Sequence, residues 1–272
     1  MPVYLFALSQ VLFVNWYAAL LVFFILHFLV YPASNGYNSY MDRDQSPVGG
    51  ISNPMQPTRQ LFMVTITLDI AAILLSFFIT PWFALGIVFY ILASRAYSYR
   101  GIRLKKFPVI GYLTVVVFQG AATFWLVYHG CHEAHPVHLA DNVKSGMLAS
   151  SLLIGGFYPL TQIYQHKADR EDGVKSISSI LGYRGTFLFT SVVYSVAFAV
   201  LAYHFFVQLE WNKFFVLATC MLPILVYFFR WWAQVRKNNA AADFRNTMRM
   251  NIIAAICTNL GFIIIIIWNL FE

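Results

Sequence analysis

Acidic side chains are what this 272-residue chain most lacks: Asp and Glu together number 11, and all charged residues make up only 11%. An average soluble domain is about 25% charged, so an ordinary water-facing surface is excluded. Cysteine is nearly as scarce. Cys131, Cys220 and Cys257 have no CxxC spacing, which argues against a disulfide framework. Cys220 and Cys257 lie inside apolar runs and read as small core residues. No basic stretch opens the N-terminus, so no cleavable signal peptide is expected.

What is abundant is apolar surface, at 60% of residues, with 18% aromatic. A helix needs about 20 mostly apolar residues to cross a hydrocarbon core of about 30 Å. Eight such runs stand near 11–34, 60–80, 82–99, 107–128, 146–165, 186–207, 214–233 and 250–271. The expectation is an all-α fold: a polytopic transmembrane helical bundle of about eight helices, with 1–272 as a single domain. Little chain is left over for a soluble domain.

The cations set an orientation. With alternating loops, one side receives 16 of the 18 Lys and Arg residues, and the other receives only Lys144 and Lys213. The positive-inside tendency then puts the first side in the cytoplasm and both chain ends outside. The expected location is a multi-pass position in a bacterial cytoplasmic membrane. Topology accounts for the net charge of +7, and no nucleic-acid partner is implied.

The few acids are concentrated. Asp42, Asp44, Asp169, Glu171 and Asp172 all fall on the basic side. They form two similar clusters at the ends of apolar runs: Asn38, Asp42 and Asp44 in "NSYMDRDQS", then Gln162, Gln165, His166, Asp169 and Asp172 in "QIYQHKADREDGVKS". Asn38/Asp42 and Gln165/Asp169 are i,i+4 pairs, and Asp169/Asp172 is i,i+3, spacings that share one helix face. Oxygen donors from two directions suit a hard cation such as magnesium, which binds through a few carboxylates plus substrate phosphates. Between the clusters, "YSYRGIRLKKFP" supplies Arg100, Arg103, Lys105 and Lys106, cations suited to a diphosphate. Carboxylates, cations and an apolar interior together point to an amphiphile with a phosphorylated head. Ordinary solvated loop charge is the competing explanation, and the repetition of the cluster weighs against it.

These stretches resemble the motifs of the UbiA-like intramembrane prenyltransferases, nine-helix bundles that transfer a prenyl chain from its diphosphate to an aromatic or lipid acceptor. "NSYMDRDQS" is similar to NDxxDxxxD, "QHKADREDGVKS" to DxxxDRxxGxxT, and "YSYRGIRLKKFP" to the linking YSxxxxRLKR-xP pattern. The resemblance implies metal at Asn38, Asp42, Asp44, Asp169 and Asp172. It implies a prenyl diphosphate at Asn38, Tyr97, Ser98, Arg103, Lys105, Lys106 and Arg170, with Asp42, Asp169, Arg103 and Lys105 supporting catalysis and magnesium as cofactor. Ser39, Ser46 and Gln165 stand where the family has aspartates. The first motif follows the first long run rather than the second, so the family's N-terminal helix is missing or reduced to "MPVYLFALSQ". These departures leave an alternative: a lipid-binding or transport protein that keeps the fold without transfer chemistry.

Three features remain open from sequence. Asp69, about ten residues into its run, is either half of an ion pair with Arg95 or a cavity-lining acid. The segment "HGCHEAHPVH" presents imidazoles and a thiol that suit a weak zinc or copper site or a plain loop. His27 and His204, each alone in an apolar run, read as bundle or interfacial residues.

Overall fold

The computed structural model describes residues 1–43, 47 and 50–272. Ten helices carry these residues: α1 (Pro2–Ser9), α2 (Trp16–Asp42), α3 (Arg59–Ser76), α4 (Pro81–Ser98), α5 (Pro108–Cys131), α6 (Asp141–Gln162), α7 (His166–Glu171), α8 (Ile177–Val207), α9 (Trp211–Lys237) and α10 (Phe244–Asn269). No named strand occurs among them; an isolated bridge joins Val14 and His132. The all-α bundle is therefore as expected.

Helix starts follow from capping chemistry. Asn15, Thr80, Ser176 and Asp243 each accept a backbone N–H from the first turn of α2, α4, α8 and α10. Each satisfies one of the donors that a helix N-terminus leaves without an intrahelical partner. Pro81 and Pro108 occupy first-turn positions, where a missing N–H costs nothing. Two helices contain a π-turn, Ile25–Val30 in α2 and Val116–Ala122 in α5. Such turns rotate the side chains beyond them and recur at functional sites.

All eight expected runs are helical, and they differ in polarity. Among the described residues six helices are long and apolar enough to cross a membrane: α2, α3, α5, α8, α9 and α10. The other two expected runs are helices of 18 and 22 residues, α4 and α6, but they are more polar. Ser94, Arg95 and Ser98 lower the hydropathy of α4; Asp141, Lys144, Ser151 and Gln162 lower that of α6. These two helices supply much of the polar wall described below. The expected run beginning at 186 also has a structural cause. Helix α8 is broken at Gly182, whose φ of 66° and ψ of 177° fit no helix, and glycine alone adopts that geometry without strain.

The stretch "MPVYLFALSQ" folds as α1, an element about 12 Å long at 1.5 Å per residue. It is too short to span, yet residues Val3 to Ser9 are all buried. Phe6 stacks on Phe262 of α10 at 4.8 Å and meets Phe124 of α5 edge-on. The Tyr4 hydroxyl donates to the Ala19 carbonyl at 2.8 Å. Around it α2 packs on α3, α4 and α5, and α5, α6, α8, α9 and α10 follow in sequence around the bundle. Small residues permit close approach, as in membrane helix pairs generally. A Cβ on Gly120 of α5 would lie 2.5 Å from the Ser151 Cα of α6.

Candidate active site

A cavity of about 250 Å³ opens where α2, α4, α5, α6 and α7 meet. Helix α2 contributes Asn38 and Asp42, α4 contributes Tyr97 and Ser98, the α4–α5 turn contributes Lys105, and α7 contributes Asp169. The two sequence clusters thus share one cavity although more than a hundred residues separate them. Gln165 lines it as well.

The geometry follows from local sequence. Asn38 and Asp42 lie one helical turn apart on the polar last turns of α2. Arg103 adopts a left-handed backbone at φ 52°, which folds the α4–α5 turn back so that its cations reach both clusters. Lys105 Nζ forms an ion pair with Asp42 Oδ2 and lies 3.4 Å from Asn38 Oδ1. Asn38 Oδ1 also accepts the Ser98 hydroxyl at 2.7 Å. Arg103 forms an ion pair with Asp172 and places Nη2 3.6 Å from Asp42 Oδ1. The Lys105 and Asp42 side chains are only 11% and 8% exposed, respectively, so this pair interacts with little water between its charges.

Asp169 sits on α7, outside the membrane-spanning helices. Burial raises its carboxyl to about 6, with a Ser176 hydrogen bond and the Lys105 charge opposing the rise, and Asp42 and Asp172 adding to it. Deeper in, the Tyr97 and Tyr158 hydroxyls are hydrogen-bonded, and Gln162 Nε2 donates to Tyr158 at 3.0 Å. Gln162 Oε1 is buried without a hydrogen bond.

Not every expected site residue joins the cavity. Lys106 and Arg170 are exposed and absent from its lining. Asp172 turns to Arg103 and borders the cavity only through it. Asp44 lies outside the described residues. Among the described residues no three His, Cys, Asp or Glu side chains gather as a metal cage. Sequence reasoning missed the inner wall, which includes Ser34, Ser94, Gln119 and Tyr158. Polar residues inside apolar runs were the available signal, because such groups are costly in a membrane unless they line a cavity or find partners. Gln119 in particular sits on the π-turn of α5.

The features left open resolve as structure. Asp69 is paired with Arg95, whose Nε donates at 2.9 Å, and the Arg95 guanidinium lies 3.9 Å over the Tyr37 ring. His129 is hydrogen-bonded to Thr80 and to the Pro136 carbonyl, and Cys131 is buried. The "HGCHEAHPVH" segment therefore closes α5 at Cys131 and continues as a partly exposed loop. His204 joins Ser145 and Gln10 in a buried network, and His27 stacks on Phe23.

A family model for the UbiA prenyltransferase family matches residues 1–253. The chain belongs to this family. The bundle is similar to a UbiA homologue from Aeropyrum pernix K1, with a TM-score of 0.69 and 16% identity over 97% of this chain and 94% of that one. It is also similar to a UbiA homologue from Archaeoglobus fulgidus bound to DMAPP and Mg2+, with a TM-score of 0.64 and 17% identity over 97% and 93% of the chains. A structure concerned with digeranylgeranylglyceryl phosphate synthase matches with a TM-score of 0.61 and 20% identity, covering 98% and 91%. At these identities the structural matches establish a shared fold. No curated protein matches the sequence. As a UbiA-family fold, the bundle is an integral membrane protein; the first motif-like stretch begins on α2 at Asn38, with residues 44–46 outside the described ones, and the others lie at the α4–α5 turn and the α6–α8 connection.

Proposed function

We propose that the protein transfers a prenyl group from a prenyl diphosphate to an aromatic or lipid acceptor at the α2–α4–α6 cavity. The observation that carries this is the meeting of Asn38, Asp42 and Asp169 with Lys105 around one opening. Support comes from family membership and from relatives of the same fold bound to DMAPP or GPP with Mg2+. The motif loops are taken to face the cytoplasm, following the distribution of cations.

The donor set fits magnesium. Asp42 Oδ1 is buried without a hydrogen bond, and Asn38, Gln165 and Asp169 add hard oxygen donors to the same wall. Asn38, Asp42 and Asp169 would hold the ion together with substrate phosphate oxygens, and Asp172 would contribute after releasing Arg103. Bound there, the ion would neutralise charge growing on the departing diphosphate.

The chain's own groups do the remaining work. Arg103 offers a planar fork for phosphate oxygens and Lys105 a point charge. Both stabilise the leaving group as the carbon–oxygen bond lengthens, which is electrostatic support aimed at developing charge. Ser98 orients the Asn38 amide by donating to its oxygen. Asp169, with its carboxyl near 6, is suited to hold or release a proton near neutral pH.

Incubation of the purified protein with labelled geranyl diphosphate, magnesium and a lipid extract tests the proposal. A labelled product that is lost in Asp42→Asn and Asp169→Asn is expected; diphosphate binding without any product across acceptor classes would overturn it. That second result is the signature of the lipid-binding or transport alternative. Ser39 and Gln165 favour the alternative, since each replaces a family carboxylate.

A further inference from the structure

A second polar cavity, of about 460 Å³, borders the α4–α5 turn at Arg100. It is lined by Tyr40, Met41, Arg43, Gln56, Arg59 and Arg100 among others, with no described carboxylate in its wall. The cation lining the first cavity and its neighbour have acidic partners: Lys105 pairs with Asp42, and Arg103, outside the lining, with Asp172. Arg43, Arg59 and Arg100 have none among the described residues. The described hydrogen bond at Arg100 runs from Nε to the Met41 carbonyl at 2.7 Å, which fixes the guanidinium and leaves its outer N–H groups available. Three guanidinium groups around one opening repel one another until an anion enters. Their fork geometry matches phosphate oxygens.

The position says which phosphate. Arg59 is the first residue of the spanning helix α3, so the cavity lies where headgroups meet the bundle. Thr58 makes no side-chain cap, and the first turn of α3 carries no acid. The free N–H groups there add to the positive potential. Below Arg59, an exposed stripe runs down the same face of α3 through Met63, Ile70 and Leu74. At 100° per residue these fall within about 60° of Arg59, forming an apolar track beneath the charged head.

We propose that this cavity binds the phosphodiester headgroup of an anionic phospholipid, whose acyl chain lies on the Met63–Ile70–Leu74 stripe. Basic pockets at the ends of spanning helices recognise lipid headgroups by this chemistry. The site is separate from the carboxylate-lined cavity and does not depend on prenyl transfer.

Native mass spectrometry in a neutral detergent tests this, with three probes titrated separately: dioleoylphosphatidylglycerol, dioleoylphosphatidylcholine and inorganic phosphate. The parent is expected to retain phosphatidylglycerol over phosphatidylcholine by ~10-fold or more. Arg43→Gln with Arg59→Gln should lose most of that preference while geranyl diphosphate binding stays unchanged. A charge-keeping Arg43→Lys/Arg59→Lys pair should retain part of it. Undiminished preference in the Gln pair would overturn the site. Displacement of the lipid by millimolar inorganic phosphate would show a free-anion site instead. A parallel loss of geranyl diphosphate binding would show that the arginines serve the first cavity.

Discussion

Replacing Asp42 by Asn should change diphosphate binding in opposite directions with and without magnesium. The charged groups described around the first cavity are Asp42, Asp169 and Asp172 against Arg103 and Lys105. Without a divalent ion, an incoming diphosphate must displace Asp42 from Lys105 and approach a net negative wall. A carboxylate about 6–7 Å from a phosphate charge costs about 2–3 kcal/mol at an effective dielectric of about 20. Screening at the cavity mouth brings that to about 1–2 kcal/mol. Asn at position 42 removes the repulsion and frees the ammonium, so geranyl diphosphate should bind ~10-fold tighter in EDTA. With magnesium present, the same change deletes a carboxylate ligand. Contacts to charged groups contribute about 1.5–3 kcal/mol, so affinity should fall by ~10- to 150-fold. Calorimetric titration of detergent-solubilised parent and variant under both conditions decides the matter. Equal weakening with and without magnesium would refute the reasoning, because Asp42 would then be a structural residue whose loss disorders the site.

Three further outcomes follow from the packing. Gly120→Leu should lower thermal stability in detergent by about 1–3 kcal/mol or more, since the new side chain meets the Ser151 backbone; an unchanged melting temperature would mean that α5 and α6 part freely. Asp69→Asn strands the Arg95 guanidinium and should cost about 3 kcal/mol, while geranyl diphosphate affinity stays at the parent value. His166, held near pKa 4 by burial and by Arg170, titrates near 6.5 once unfolded. The unfolded chain therefore takes up the proton first, and its share of stability is lost as pH falls from about 6.5 to about 4. In His166→Phe that part of the stability–pH slope should vanish.

The membrane class and most of the helices were legible in the sequence, because long apolar runs are a local signal. The caps at Asn15, Thr80, Ser176 and Asp243 are local signals that went unread. Helix α1 was harder to see: eight residues are too few for a spanning pattern, and their burial comes from Phe124 and Phe262, far along the chain. The shared cavity of the two clusters was anticipated from their common topological side. The pairing inside it was not, since Lys105–Asp42 and Arg103–Asp172 join residues more than sixty positions apart. The inner wall was missed for a related reason. Ser34 and Ser94 lie at the polar ends of their runs and Gln119 sits singly in an apolar one, and only the crossing of α2, α4 and α5 gathers them.

The way the cations are held bears on how a site with fewer aspartates works. Lys105 is anchored by Asp42 and lies near the Asn38 oxygen, while Arg103 is anchored by Asp172 and borders Asp42. The groups that would bind magnesium are thus the groups that now restrain the cations proposed to meet the diphosphate. A divalent ion on Asp42 would weaken its hold on Lys105 and release that ammonium toward a phosphate. A phosphate drawing Lys105 and Arg103 away would, in turn, leave Asp42 and Asp172 bare and raise the demand for a cation. Each ligand therefore removes a competitor of the other, and linkage makes the effect reciprocal: magnesium must strengthen diphosphate binding by the same factor by which diphosphate strengthens magnesium binding. In a site that lacks acids at 39 and 165, this mutual release would supply part of the affinity that extra carboxylates otherwise provide, and it would tie ion and substrate binding to the single turn from Tyr99 to Phe107.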